Sequence, residues 1–178
     1  RRQATTVSIH QSPQEKEFYE AVSAFVRSAW PESGSGRRGL SRMALQTLLM
    51  EAGSSPFGTT PTLRKLAETR VLSASERQTL RDLAAAGDSI AESAKGLALL
   101  KLLHALPKGS EDKVIIFTKY LETLRYLEIL LQQAGFTSAV YHGEMSRAAK
   151  DACIAAFETR LPILLCTEAA GEGRNLQF

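Results

Sequence analysis

The chain has 178 residues, 44% of them hydrophobic and 23% charged, with a net charge of +3. That balance is ordinary for a soluble globular protein of one domain plus an appended subdomain, and the spread of its charge permits nucleic-acid binding without arguing for it. No apolar run approaches the ~18 residues of a membrane span, so no membrane partner is expected. Cys153 and Cys166 sit in apolar contexts. They read as buried free thiols rather than a disulfide or metal pair, in keeping with a cytoplasmic protein.

In chain order, Thr5–His10 alternates apolar and polar residues and could be a short strand. Ser12-Pro13-Gln14-Glu15 is a helix start: Ser12 caps, Pro13 suits the first helical position, and Glu15 completes a capping box. Phe18, Val22, Phe25 and Val26 then form an apolar stripe that ends at Trp30-Pro31. The Ser/Gly-rich stretch to Gly39 carries Arg37 and Arg38, with Arg42 just beyond. It is either a solvated basic loop or a phosphate-contacting one. Ser41 caps a helix to Gly53 with Leu45, Leu48 and Leu49 inward. The stretch from Ser54 to Pro61 should break the chain twice, with Pro61 opening the next helix. Ser73 and Glu76 form a second capping box, leading to Leu80, Leu83 and Gly87. Ala91–Leu106 reads as a long apolar helix through Leu97, Leu99, Leu100, Leu103 and Leu106.

From Lys113 the period changes. Lys113–Phe117, Ser138–Tyr141 and Pro162–Cys166 are short apolar runs with strand character. Between them lie two helical stretches. The first, Tyr120–Ala134, has Leu121, Leu124, Leu127 and Leu131 on one side and stops at Gly135. The second is capped by Ser146 and has Ala149, Cys153, Ala156 and Phe157 on its apolar face. The order is strand, helix, strand, helix, strand, then the polar, glycine-bearing segment Thr167–Gln177. In open parallel sheets, ligands bind at the carboxyl ends of the strands. Thr118, Lys119, His142, Gly143 and Thr167 fall there. Lys119 supplies a point charge and Thr118 and Thr167 hydroxyls, all suited to phosphate. Gly143 permits a tight turn. Lys119 can equally be a solvated lysine at a strand end, and His142 a hydrogen-bonded structural imidazole.

These segments carry a family resemblance. Val114–Lys119, His142-Gly143 with Met145-Ser146, and Thr167–Gln177 resemble, in order, motif IV, the "HG-x-M-S" segment and motif V of motor domain two in superfamily two helicases and translocases. More narrowly they resemble the Swi/Snf-type branch and its bacterial RapA-like class. Glu172-Gly173-Arg174-Asn175 is the most specific part. Upstream, Val7–Tyr19 is similar to the family's segment just past motor domain one. Leu45–Pro56 is similar to the link between its helical subdomain and motor domain two, and Ser93-Ala94-Lys95 to the "S-x-K" before motif IV.

The fold this implies is α/β: a truncated RecA-like parallel sheet (βαβαβ) preceded by an α-helical subdomain. Residues 1–11 would be a linker from motor domain one, 12–106 the helical subdomain, and 107–178 the second RecA-like domain, truncated before motif VI. The activity implied is that of a fragment of an ATP-dependent double-stranded-DNA translocase or remodeller. The alternatives are a second-domain fragment of an RNA helicase and a non-catalytic α/β nucleic-acid-binding module. By the resemblance, Thr118, Lys119, His142, Gly143 and Thr167 contact nucleic-acid backbone, while Gly171, Glu172, Gly173, Asn175 and Gln177 couple to the nucleotide. ATP and Mg²⁺ would serve the complete protein, with neither bound by this chain. No GxxxxGK[ST] phosphate loop occurs in the sequence, so the chain alone is expected not to hydrolyse ATP and to contain no catalytic or metal-ligating residue. The partners implied are DNA, double-stranded in preference, the first RecA-like domain of the same protein, and RNA polymerase. An unpaired sheet edge would favour self-association. Two positions depart from the family pattern: Ala170-Gly171 stands for a glycine pair, and Lys150 stands where an arginine is usual. Lysine keeps that charge and loses the fork.

Overall fold

The computed structural model describes residues 4–31, 39–106 and 113–168. Five helices come first: α1 (Pro13–Ala29), α2 (Arg42–Ser54), α3 (Pro56–Ala67), α4 (Ala74–Asp88) and α5 (Ala94–His104). Then follow β1 (Val114–Thr118), α6 (Leu121–Gln133), β2 (Ser138–Tyr141), α7 (Arg147–Thr159) and β3 (Ile163–Thr167).

Helices α1–α4 share one apolar core, in which Phe18, Val22, Leu45, Leu48, Leu63 and Leu80 are buried. Both expected capping boxes form, at Ser12/Glu15 and at Ser73/Glu76. Glu15 does more than the pattern required. One carboxylate oxygen accepts the Ser12 amide at 2.9 Å and the other accepts the Ala94 amide at 3.0 Å. A single buried carboxylate thus satisfies the start of α1 and the start of α5, where helix dipoles favour negative charge.

Three expectations are corrected. Thr5–His10 is not a strand; it has no neighbouring strand to pair with, and Val7 and Ile9 are exposed. Helix α3 begins at Pro56, not Pro61, because Ser55 caps it and Pro56 fills the first helical position. Pro61 therefore lies inside the helix, and the chain breaks once between α2 and α3. The buried hydroxyls of Thr59 and Thr60 are satisfied by the carbonyls of Ser55 (2.7 Å) and Pro56 (3.0 Å). Helix α5 starts at Ala94, since Ser93 caps it. Of its expected apolar face only Leu103 is fully buried, while Leu97 and Leu106 are exposed.

The sheet is parallel with order β1-β3-β2. The β1-α6-β2 crossover passes over the place that β3 fills, and β2-α7-β3 runs back. Crossovers of one hand in opposite directions put α6 and α7 on opposite faces. The side chains of β3 alternate accordingly. Leu164 and Cys166 meet Cys153, Ile154 and Phe157 of α7, while Ile163 and Leu165 meet Leu124 and Leu131 of α6 and Leu103 of α5. All five β3 residues are buried, as a central parallel strand demands. On α7, Ala149 is exposed and Ala156 half-buried, with Ile154 taking the core position in their stead. Among the described residues no helix is long and apolar enough to cross a membrane.

The bundle docks on the sheet layer through α3 and α6. Phe57 stacks on Tyr126, with centroids 4.4 Å apart and planes 7° from parallel. Ser54 and Thr123 hydroxyls lie 3.3 Å apart. Lys95 donates to the Gly53 carbonyl at the end of α2 at 2.6 Å, so the Ser93 and Lys95 pair acts as joinery. Gly58 permits the close approach: a Cβ there would stand 2.5 Å from Thr123 Oγ1 and 3.0 Å from the Thr123 backbone nitrogen. Gly58→Ala should therefore destabilise the protein by about 1–3 kcal/mol through overpacking. Gly53→Ala, whose nearest heavy atom is an ordinary 3.8 Å contact, should stay within about 0.5 kcal/mol of wild type or gain stability. Urea unfolding of the two variants checks the contrast, and equal midpoints would refute the packing described.

Candidate nucleic-acid interface

Parallel strands deliver their carboxyl ends to one edge of the sheet. Here β1 ends at Thr118 and passes to Lys119, β2 ends at Tyr141 and passes to His142-Gly143, and β3 ends at Thr167 and passes to Glu168. Because β3 is central, Thr167 stands between the other two ends. An open cleft of about 380 Å³ results, lined by Lys119, Leu121, His142, Gly143, Glu144, Thr167 and Glu168. Four of the five residues expected to meet nucleic acid are thus brought together.

Thr118 is not among them. It pairs in register with Thr167 but lines a separate cavity of about 180 Å³ with Ser55, Ser93, Lys95, Thr123 and Tyr126, at the junction with the helical bundle. Strand alternation turns Thr118 away from Lys119, while its register partner Thr167 reaches the cleft from the central strand. The five residues expected to couple to nucleotide, Gly171, Glu172, Gly173, Asn175 and Gln177, lie outside the described residues, as do Arg37 and Arg38.

The turn after β2 explains its sequence. The His142 amide donates to Met145 Sδ at 3.3 Å, and the Met145 amide donates to the His142 carbonyl at 3.3 Å. Met145 packs beside the α7-side core, and Ser146 caps α7 by accepting the Ala149 amide at 3.3 Å. The His-Gly-x-Met-Ser order is thus a strand-to-helix corner with an apolar anchor. Gly143 is exposed and does not use the left-handed region, which Gly135 alone adopts among the described residues at φ +81°. Its contribution is a bare backbone. The Gly143 carbonyl accepts from Lys150 Nζ at 3.0 Å, and that ammonium also lies 5.7 Å from the Tyr141 ring centroid. Lysine in place of the family's arginine therefore leaves a working clamp of one hydrogen bond and one cation–π contact. No sequence pattern marks this partner, because its target is a main-chain oxygen seven residues away.

The electrostatics of the cleft are mixed. Lys119 is exposed, its ammonium 5.9 Å from the Tyr120 ring. His142 Nδ1 is buried with no hydrogen-bond partner among the described residues. Glu144 and Glu168 oppose an anion; Arg125 approaches Glu144 at 3.9 Å across exposed surface, where such pairs contribute little. Thr167 is buried. The cleft combines a lysine ammonium, a threonine hydroxyl and an imidazole around an open groove, group types suited to an oxyanion.

A change at the clamp should be felt at the turn. Lys150→Met is expected to destabilise the protein by about 1 kcal/mol and to speed hydrogen exchange of the 142–145 amides, while Lys150→Arg restores much of the protection. Unchanged exchange in Lys150→Met would remove the clamp.

The helicase conserved C-terminal domain family matches residues 94–178. The chain is 32% identical over 99% of its length to an uncharacterized ATP-dependent helicase of Bacillus subtilis (strain 168), YqhH, of which it spans 30%. It is 38% identical over 43% of its length to an ATP-dependent RNA helicase of Encephalitozoon cuniculi, spanning 16% of that protein. Among solved structures, the Hef helicase domain of Pyrococcus furiosus superposes with a TM-score of 0.60 at 15% identity, covering 94% of this chain and 46% of that one. The SWI2/SNF2 ATPase core of Sulfolobus solfataricus, solved in complex with double-stranded DNA, superposes at 0.56 and 17% identity, covering 92% and 30%. These likenesses show the fold. Residues 94–178 thus match the helicase C-terminal domain family, and the described part of that stretch has a RecA-like α/β fold carried behind a bundle of four helices.

Proposed function

We propose that the chain is the C-terminal motor portion of an ATP-dependent, double-stranded-DNA translocase of the Swi/Snf kind, and that its cleft holds one backbone phosphate of the tracked strand. The observation that carries this is the convergence of Lys119, His142, Gly143 and Thr167 at one edge of the sheet. Lys119 attracts the phosphate, Thr167 donates a hydroxyl, and the bare backbone at Gly143 allows close approach. Affinity from such contacts is phosphate-dominated, salt-sensitive and nearly independent of sequence. The similar fold of a SWI2/SNF2 core solved with double-stranded DNA and the helical bundle ahead of β1 support duplex over single strand.

In the complete protein the first RecA-like domain is the partner across the cleft. ATP, with Mg²⁺, would shift an open–closed equilibrium between the two domains. No nucleotide contact is assigned to the described residues. The second reading is an RNA helicase, favoured by the likeness to the Encephalitozoon cuniculi RNA helicase.

Fluorescence anisotropy with duplex DNA, single-stranded DNA and RNA separates the readings. Duplex DNA should bind most tightly. Lys119→Ala should weaken binding at every sequence and lower the salt-dependence slope by about 1. Glu168→Gln should tighten binding by removing a carboxylate from the cleft. Preference for RNA would favour the second reading, and wild-type affinity in Lys119→Ala would remove the cleft from the interface.

A further inference from the structure

Glu51 occupies the last turn of α2, within the Leu45–Pro56 stretch, and is 7% exposed. Its Oε2 atom is buried and has no hydrogen-bond partner among the described residues. The Tyr120 phenol oxygen is in the same condition. An unmet polar atom away from water is costly, and an apolar side chain at position 51 would avoid that cost. The surroundings of the acid are a Thr62 hydroxyl, which bonds it, and the Glu122 carboxylate. Burial first, then Glu122, pushes the Glu51 carboxyl above the usual carboxylate range, with the Thr62 bond opposing. Beside the Lys119 ammonium over its ring, Tyr120 feels two carboxylates, Glu51 and Glu168; burial first, then both carboxylates, raise its phenol.

Tyr120 links β1 to α6. It is the residue before the first turn of α6, yet makes no side-chain cap bond. Its ring instead lies beneath the Lys119 ammonium at 5.9 Å. Three residues after Glu51 and Tyr120, the Ser54 and Thr123 hydroxyls lie 3.3 Å apart, so the end of α2 runs beside the start of α6; the Glu51 carboxylate acts on the Tyr120 phenol, and Tyr120 neighbours Lys119 in the cleft.

We infer that Glu51 is a positioning residue: it accepts a hydrogen bond from the Tyr120 phenol through one water, and so holds the ring that seats the Lys119 ammonium at the cleft. The helical bundle then sets the cationic wall of the site. The inference rests on the reading that this cleft binds backbone phosphate, but its structural half can be measured without nucleic acid.

The test uses the full chain with its lysines reductively dimethylated with ¹³C, the Lys119 resonance being assigned by Lys119→Arg. Wild type should show Lys119 shifted by the ring current of Tyr120. Glu51→Gln, whose amide oxygen still accepts from the phenol through that water, should keep that shift and bind duplex DNA within about twofold of wild type. Glu51→Leu should move the resonance toward that of a free lysine and weaken DNA binding by about three- to tenfold at an unchanged salt slope, because no phosphate contact is lost. Tyr120→Phe, which removes only the hydroxyl, should move both readouts in the same direction, and it decides the matter if Glu51→Leu does not fold.

Stability gives a third readout. A carboxyl with a raised folded-state pKa stabilises below its unfolded value and loses that contribution as pH rises through the folded value. Glu51→Gln should therefore match wild type near pH 4 and become the more stable protein as pH rises. An unmoved Lys119 resonance in both Glu51→Leu and Tyr120→Phe, or a Glu51→Gln protein that behaves like Glu51→Leu, would overturn the inference. Absence of DNA binding by wild type, with the resonance moving as described, would leave the Glu51 role standing and remove the phosphate-binding reading.

Discussion

Burial of β3 between two parallel neighbours and two layers of helix sets the positions of the groups that follow each strand. Its side chains alternate between the α6 and α7 faces, and each face has an apolar partner waiting. A slip of one residue would send Leu164 and Cys166 to the wrong layer and Thr167 into a core. With β3 in register, Thr167 lies opposite Thr118 on one side, and Cys166 lies opposite Tyr141 on the other. The three loops that follow then share one edge, and the cleft comes from that alignment more than from any one motif.

The contact between the bundle and the sheet layer is largely polar. Glu15 binds the amide at the start of α5, Lys95 binds the end of α2, and the Ser54 and Thr123 hydroxyls meet across the gap. Directional bonds of this kind fix an angle as well as a distance. Apolar packing adds Phe57 on Tyr126.

Much of this was legible in the sequence. Strand runs and helical stripes located every element from α6 to β3, because short β-branched runs and leucine periods answer to local physics. Capping boxes at Ser12 and Ser73 fixed two helix starts. Pro61 misled, because proline punctuates strongly in sequence while Ser55-Pro56, five residues earlier, made the better helix start. The apolar run through α5 overstated burial, since only one side of that helix meets a neighbour. In the site, strand ends gave Lys119, His142, Gly143 and Thr167, but adjacency in sequence could not say that Thr118 turns away from Lys119. Lys150, Glu51 and Glu15 act on distant backbone or on a buried phenol. Such pairs carry no spacing rule, so sequence could show the residues without their partners.

Hydrogen exchange with and without duplex DNA addresses the cleft most directly. Contact at the strand ends predicts slower exchange, on adding duplex, for amides at 119–121, 142–145 and 168, with the α6 and α7 interiors unchanged. Protection confined to α1–α4, or exchange unaltered while DNA is bound, would contradict it.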